Sequence, residues 1–213
     1  TLAIGDSGDT RAGAYLRAYF AGDRAEMERQ YEAGRRGGEP WLLSHVRGLT
    51  LASEGKIAAA RRTLAEGIAD ATTARRTGAV ARGWLLLAYF EVQIGNLEAA
   101  RRAAEAALTH DADSRNVLQA AAILALSGEA GRASALVTPI ESQPRIDTIT
   151  RDVHLALARA AIALARGNAP EAHDRLDRSA PYEPRYPELT WLRGLAHLAA
   201  HDRAAVSDFR TVI

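Results

Sequence analysis

The sequence predicts an all-α protein, a right-handed superhelical solenoid of about six helix-turn-helix repeats. Three observations carry that prediction. A turn residue followed by a helix-starting residue recurs as Gly22-Asp23, Gly55-Lys56, Gly95-Asn96, Gly128-Glu129, Gly167-Asn168 and His201-Asp202. These turns are separated by 33, 40, 33, 39 and 34 residues. Apolar or small residues stand ten, seven, six and three positions before the later turns, a spacing that places them on one helical face. Alanine and leucine dominate the composition, only 6% of residues are aromatic, and β-branched residues form no long run. Alanine loses no side-chain entropy in a helix and leucine loses little, so this composition favours helix throughout.

The first helix pair is expected at about 9–36, folded at Gly22-Asp23. The breakers Gly37-Gly38-Glu39-Pro40 separate it from a second pair at 39–76, folded at Gly55-Lys56. A third, at 78–110, carries Leu85, Ala88, Tyr89 and Val92 ahead of Gly95-Asn96 and ends before Asp111-Ala112-Asp113-Ser114. Leu118, Ala121, Ala122 and Ala125 precede Gly128-Glu129 in the fourth, at 113–143, which closes at Gln143-Pro144. The fifth, at 147–178, places Leu157, Ala160, Ala161 and Leu164 before its turn, and Asn168-Ala169-Pro170-Glu171 approximates a capping box with proline in the first turn. Beyond the proline-rich stretch 181–187, the sixth pair at 187–213 has Trp191, Gly194, Leu195 and Leu198 before His201-Asp202.

Two further regularities fit antiparallel hairpins. Glycine supplies the positive φ that ends each first helix, and Asp or Asn caps the second. Five residues after four of the turns stands an alanine (Ala60, Ala100, Ala133, Ala172), small enough for two helices to approach closely. Each pair buries its apolar face only against its neighbours, so residues 1–213 are expected to act as a single repeat domain. The start, Thr1-Leu2-Ala3-Ile4-Gly5-Asp6, has neither a signal peptide nor an initiator methionine, and the last helix ends apolar and uncapped at Ile213. The expectation is a fragment of a longer chain.

A period near 34 residues is that of a tetratricopeptide unit. The segments Pro181-Tyr182-Glu183, Tyr186-Pro187, the run from Trp191 to Ala200, and Asp208-Phe209 resemble the last repeats of a bacterial family. These are tetratricopeptide regions C-terminal to a serine/threonine protein kinase domain or to a winged-helix DNA-binding domain. The family pattern there reads PYE, then YPxYxRGxAYLAA, then EF. Tyr19-Phe20-Ala21-Gly22-Asp23, Ala60-Arg61-Arg62 and the run Gly95 to Arg102 are similar to it as well. The sequence departs from the pattern in its shorter loop between the PYE and YP elements. It also has His201 where the family commonly has glycine, and Asp208 in place of glutamate. The resemblance implies a signalling parent, with this region as its sensory or partner-binding arm.

Several function classes are excluded or disfavoured by composition. With 27 basic and 26 acidic side chains the net charge is +1, too small for a broad pull on nucleic acid or anionic lipid. The chain has no cysteine, hence no disulfide, thiolate zinc site or cysteine nucleophile. No apolar run approaches the ~18 residues that span a bilayer. Kinase chemistry needs a phosphate-pairing lysine and a magnesium-binding aspartate. The only lysine, Lys56, sits in a turn, and Asp208-Phe209-Arg210 lies in a predicted second helix. His197 and His201 are four apart but lack the glutamate of HExxH and a third ligand. His45, His110, His154 and His173 are scattered among the repeats. No catalytic residue, cofactor or metal is therefore expected.

The candidate partner groove comprises Arg47, Trp84, Leu85, Tyr89, Arg159, Trp191 and Arg193. Arg47, Arg159 and Arg193 each stand eight residues before a turn, which in a stack would align them. They read either as a guanidinium row for acidic or phosphorylated peptide, or as partners of nearby carboxylates such as Glu54, Glu171 or Asp202. The pairs Arg35-Arg36, Arg61-Arg62, Arg75-Arg76 and Arg101-Arg102 read as solvated faces. Trp41, Trp84 and Trp191, in first helices, are packing anchors or, with Leu85 and Tyr89, aromatic lining of a peptide groove. The expectation is a non-catalytic scaffold for a protein or peptide partner, in a bacterial protein with a serine/threonine kinase domain. The alternative is the ligand-sensing or dimerising arm of a winged-helix regulator. The bacterial cytoplasm is the favoured compartment, with the periplasm left open, and a homodimer is a further possibility.

Overall fold

The computed structural model describes residues 8–212, without the side chain of Val212. All regular structure among them is helical. Helices α1 (Gly8–Ala21) and α2 (Arg24–Arg35) form the first hairpin, and α3 (Pro40–Ser53) and α4 (Ile57–Thr73) the second. Then come α5 (Thr77–Gln93) with α6 (Leu97–His110), and α7 (Ser114–Leu126) with α8 (Ala130–Glu141). The fifth hairpin opens with a π-helical turn, Thr150–Leu155, continuous with α9 (Ala156–Ala165), and returns as α10 (Ala169–Asp177). A 3₁₀ segment, Ala180–Arg185, leads into α11 (Pro187–Ala199) and α12 (Ala204–Val212). The chain divides into two compact units, 1–90 and 91–213, at a point inside α5 that no loop marks.

One turn closes all six hairpins. Gly22, Gly55, Gly95, Gly128, Gly167 and His201 have positive φ, from 57° at His201 to 93° at Gly128. The next residue's N–H donates to the carbonyl five positions back: Asp23 to Ala18, Lys56 to Leu51, Asn96 to Glu91, Glu129 to Leu124, Asn168 to Ala163 and Asp202 to His197. These bonds measure 2.8 or 2.9 Å and are the Schellman arrangement that satisfies the last carbonyls of a helix. Ala60, Ala100, Ala133 and Ala172 are completely buried, as close approach across the hairpin requires.

The capping chemistry differs in two places from the expectation. Asp23 and Asn168 accept from the amides of Glu26 and Glu171, but Asn96 makes no cap bond. Its amide donates instead to the buried Glu91 carboxylate at 2.8 Å. The Glu171 carboxylate accepts from the Asn168 side chain at 3.0 Å, where a capping box would use the Asn168 backbone amide.

The two long intervals have separate causes. Between Gly55 and Gly95, α4 and α5 each run to 17 residues and meet at a seventh left-handed residue, Arg75, with φ 56°. Between Gly128 and Gly167 the excess lies in the connection after α8 and in the π turn. Asp147 starts that turn by accepting from the Thr150 amide at 3.0 Å and its hydroxyl at 2.6 Å.

Within the first unit, hydrogen bonds join residues one repeat apart. Tyr15 to Thr50 (3.0 Å) and Tyr19 to Ser53 (2.8 Å) link α1 to α3. Arg35, at the end of α2, bonds Asp70 on α4 and reaches the Ser44 hydroxyl at 3.2 Å. Buried Trp41, Ile68, Ala71 and Val80 form one core cluster, and Tyr15, Tyr31 and Leu43 another. In the second unit Leu118, Leu124, Val153, Leu176, Leu189 and Leu192 are among the fully buried aliphatics, and α7 packs along α9.

Candidate functional site

Arg47, Arg159 and Arg193 share one structural task. Arg47 on α3 donates to both Glu28 oxygens, at 3.1 and 2.9 Å, and its guanidinium lies 4.1 Å from the centre of the Tyr31 ring. Arg159 on α9 pairs with Glu141 at the end of α8. Arg193 on α11 donates to Glu183 (2.9 Å), Asp177 (3.3 Å) and the Leu176 carbonyl (3.0 Å). Each therefore reaches from a first helix to the second helix of the hairpin before it. The partners are Glu28, Glu141, Asp177 and Glu183 in place of Glu54, Glu171 and Asp202. The reason is stacking, which lays the preceding second helix beside the guanidinium and leaves those carboxylates elsewhere.

The aromatic candidates fall on α5 and α11. In the first unit Trp84 is half-buried against the Trp41–Ile68–Ala71–Val80 cluster, and Tyr89 is half-buried five residues later. Leu85 is 3% exposed, a core residue with no surface to offer. In the second unit Trp191 is half-buried, and Gly194 on the same helix receives the Phe209 ring: a Cβ there would stand 2.7 Å from Cε1.

The remaining candidates have structural partners. Lys56 pairs with Glu54 at 2.5 Å in the hairpin turn. Of the triplet in α12, Asp208 accepts from His197 Nδ1 at 2.6 Å and Phe209 packs on Gly194. His197 is turned toward Asp208, with the His173 ring 4.3 Å away, while His201 occupies the left-handed turn, so the two histidines of that helix end do not converge. Among the described residues no three His, Asp or Glu side chains could hold a metal ion together. No described helix is long and apolar enough to cross a membrane.

Two histidines are buried without charge. His45 on α3 is 2% exposed, and neither ring nitrogen has a hydrogen-bond partner. Burial, with Arg82 nearby, lowers its pKa to about 4. His154 in the π turn is likewise lowered to about 4 by burial and Arg115, with Gln119 at 3.4 Å from Nδ1 and Tyr186 edge-on. The sequence signal for His45 was the pair Gly67 and Gly83 inside helices, where glycine is unfavourable unless packing demands it.

A solved structure of a tetratricopeptide repeat protein from Parabacteroides merdae matches 98% of this chain and 79% of its own, with a TM-score of 0.52 and 17% identity. The fold is that of a tetratricopeptide repeat. No protein-family model and no curated protein matches the sequence. At this identity the likeness concerns how tetratricopeptide hairpins are built, and function has to be argued from the side chains.

Proposed function

We propose that this chain is a non-catalytic scaffold for a protein or peptide partner, the regulatory or sensory arm of a bacterial serine/threonine kinase acting in the cytoplasm. The observation that carries this reading is the set of six hairpins, all closed by one turn geometry and matched along nearly the whole chain by a tetratricopeptide protein. Such hairpins present successive first helices as a recognition surface. On α5, Trp84 and Tyr89 keep part of their rings accessible, and aromatic anchors of this kind carry most of the energy of an interface. Arg47 and Arg193 then hold neighbouring helices in place and do not face the partner.

The test uses a partner captured on the immobilised chain and then purified. Its affinity is compared for wild type and for W84A/Y89A, after thermal melting has shown that the variant remains folded. A loss of binding of about tenfold or more is expected for a hot-spot pair. Equal affinity would remove α5 from the binding surface. Serine/threonine kinase motifs in the reading frame ahead of Thr1 would support the parent assigned here, and winged-helix motifs would overturn it.

A ligand-sensing arm of a winged-helix regulator is a second reading. It is favoured by a cavity of about 470 Å³ in the second unit, within the size range of small-molecule sites. A saturable rise in melting temperature with a small ligand would support it.

A further inference from the structure

The repeat departs from its regular period in the second unit at the connection after α8 and at the π turn, and both departures line the cavity. Ile146 comes from the connection, and Arg151, Asp152 and Leu155 from the π turn. Ala156 on α9 adds to the apolar lining of Ile146 and Leu155, and Glu171, Asp174 and Arg175 of α10 line it as well. π turns are costly, short and frequently found at functional sites. This one is braced from outside the cavity, because the buried Ser179 hydroxyl donates to the Asp152 carbonyl.

The charges around this apolar lining are mostly used up internally. Arg159 pairs with Glu141, Arg151 with Asp152 and Arg175 with Glu171. Two lining groups remain, Asp174 on α10 and Arg178 directly after its last residue, and neither has a hydrogen bond or ion pair among the described residues. They are four positions apart, and Arg178, which caps α10, keeps helical backbone angles (φ −66°, ψ −22°), so their side chains leave the backbone about 6 Å from each other. They carry opposite charge and yet do not pair.

We infer that this cavity binds a zwitterionic ligand of dipeptide size with an apolar side chain. The termini of an extended dipeptide are about 7 Å apart, which matches an i, i+4 pair of opposite charges. Its carboxylate is placed on the Arg178 guanidinium, its ammonium on the Asp174 carboxylate, and its side chain on Ile146, Leu155 and Ala156. A singly charged ligand would engage only one of these two groups. This site goes beyond the partner surface on α5 and stands whichever parent domain the chain serves.

The probe is L-alanyl-L-leucine, titrated calorimetrically into the full chain, with the N-acetylated, C-amidated form as its uncharged control. Saturable binding of the zwitterion is expected, with no binding of the capped form. D174N and R178Q, both exposed and unpaired, should melt like wild type and each weaken binding about tenfold or more. Bound ligand should shift the methyl resonances of Ile146 and Leu155. No saturable heat at roughly ten-millimolar dipeptide would overturn the inference. So would equal binding of the capped form, unchanged affinity in both variants, or shifts confined to methyls elsewhere.

Discussion

The His45 imidazole on α3 lies against the bare Cα of Gly83 on α5: a Cβ there would stand 2.7 Å from Nε2 and 2.6 Å from Ile68 Cγ1. Gly67 on α4 flanks the same ring, with Cδ2 3.0 Å from its notional Cβ. The histidine is thus a knob in a socket made by two glycines. G83A gains roughly 1 kcal/mol of helix propensity. It also overpacks a closed core, which costs about 1–3 kcal/mol and wins because both contacted side chains are buried. Urea unfolding should show G83A less stable than wild type. The cost should shrink in an H45A background, since the two positions touch.

Acid should destabilise both units, for the same reason in each. His45 and His154 have folded-state pKa values of about 4 against an ordinary 6.5. Between these values the unfolded chain binds more protons than the folded one, so stability falls as pH falls. The contribution is intact above about pH 6.5 and is lost progressively down to about pH 4, amounting to about 3 kcal/mol per histidine. Melting followed from pH 7.5 to 4 should show this loss. H45F should reduce it in the first unit and leave that of His154. A flat profile across this range would mean that neither ring is held neutral.

Arg193 joins α11 to the preceding hairpin through three acceptors while only 16% exposed. Its fork geometry matters: Nε and one Nη atom both reach Glu183, at 2.9 and 2.8 Å. R193K keeps the charge and cannot reproduce the fork. Both R193A and R193K should lose about 1–3 kcal/mol, because neither side chain can serve Glu183 and the Leu176 carbonyl together. R29A, whose Glu26 pair is surface-exposed with Arg29 70% accessible, should change stability by less than about 0.5 kcal/mol. Denaturant midpoints for the three variants check the ordering.

What was readable in the sequence was local. A left-handed turn needs a residue that tolerates positive φ, so glycine marked five of the six hairpins, and Asp202 was enough to locate the sixth at His201. Close helix approach needs a small residue at one offset, and the four alanines stand there. Interactions set by stacking were not readable. Glu28 lies 19 residues before Arg47 and Glu141 18 before Arg159, distances at which no helical rule selects a partner. Arg75 adopts the same left-handed conformation without being a glycine, so the α4–α5 junction carried no signal of its type. Val206 stands five residues after its turn, where Ala60, Ala100, Ala133 and Ala172 are buried, yet it is 54% exposed.

The π turn is started by Asp147 and braced by one buried hydroxyl, that of Ser179. Widening a helix by one residue disturbs the regular i to i−4 ladder and leaves carbonyls in need of other donors. Here the Asp152 carbonyl accepts from Ser179, which is completely inaccessible and lies 27 residues away at the end of the fifth hairpin. S179A removes this donor while adding no bulk, taking a hydrogen bond from the half-buried Asp152 carbonyl at a cost of about 1 kcal/mol. The loss should be felt locally as well as globally, because Val153, His154 and Leu155 hang on the same turn. Hydrogen exchange should therefore accelerate at the amides of 150–156 in S179A, while those of α7 keep their protection after correction for global stability. Uniform acceleration across the second unit would show that Ser179 supports the core at large and not the turn itself.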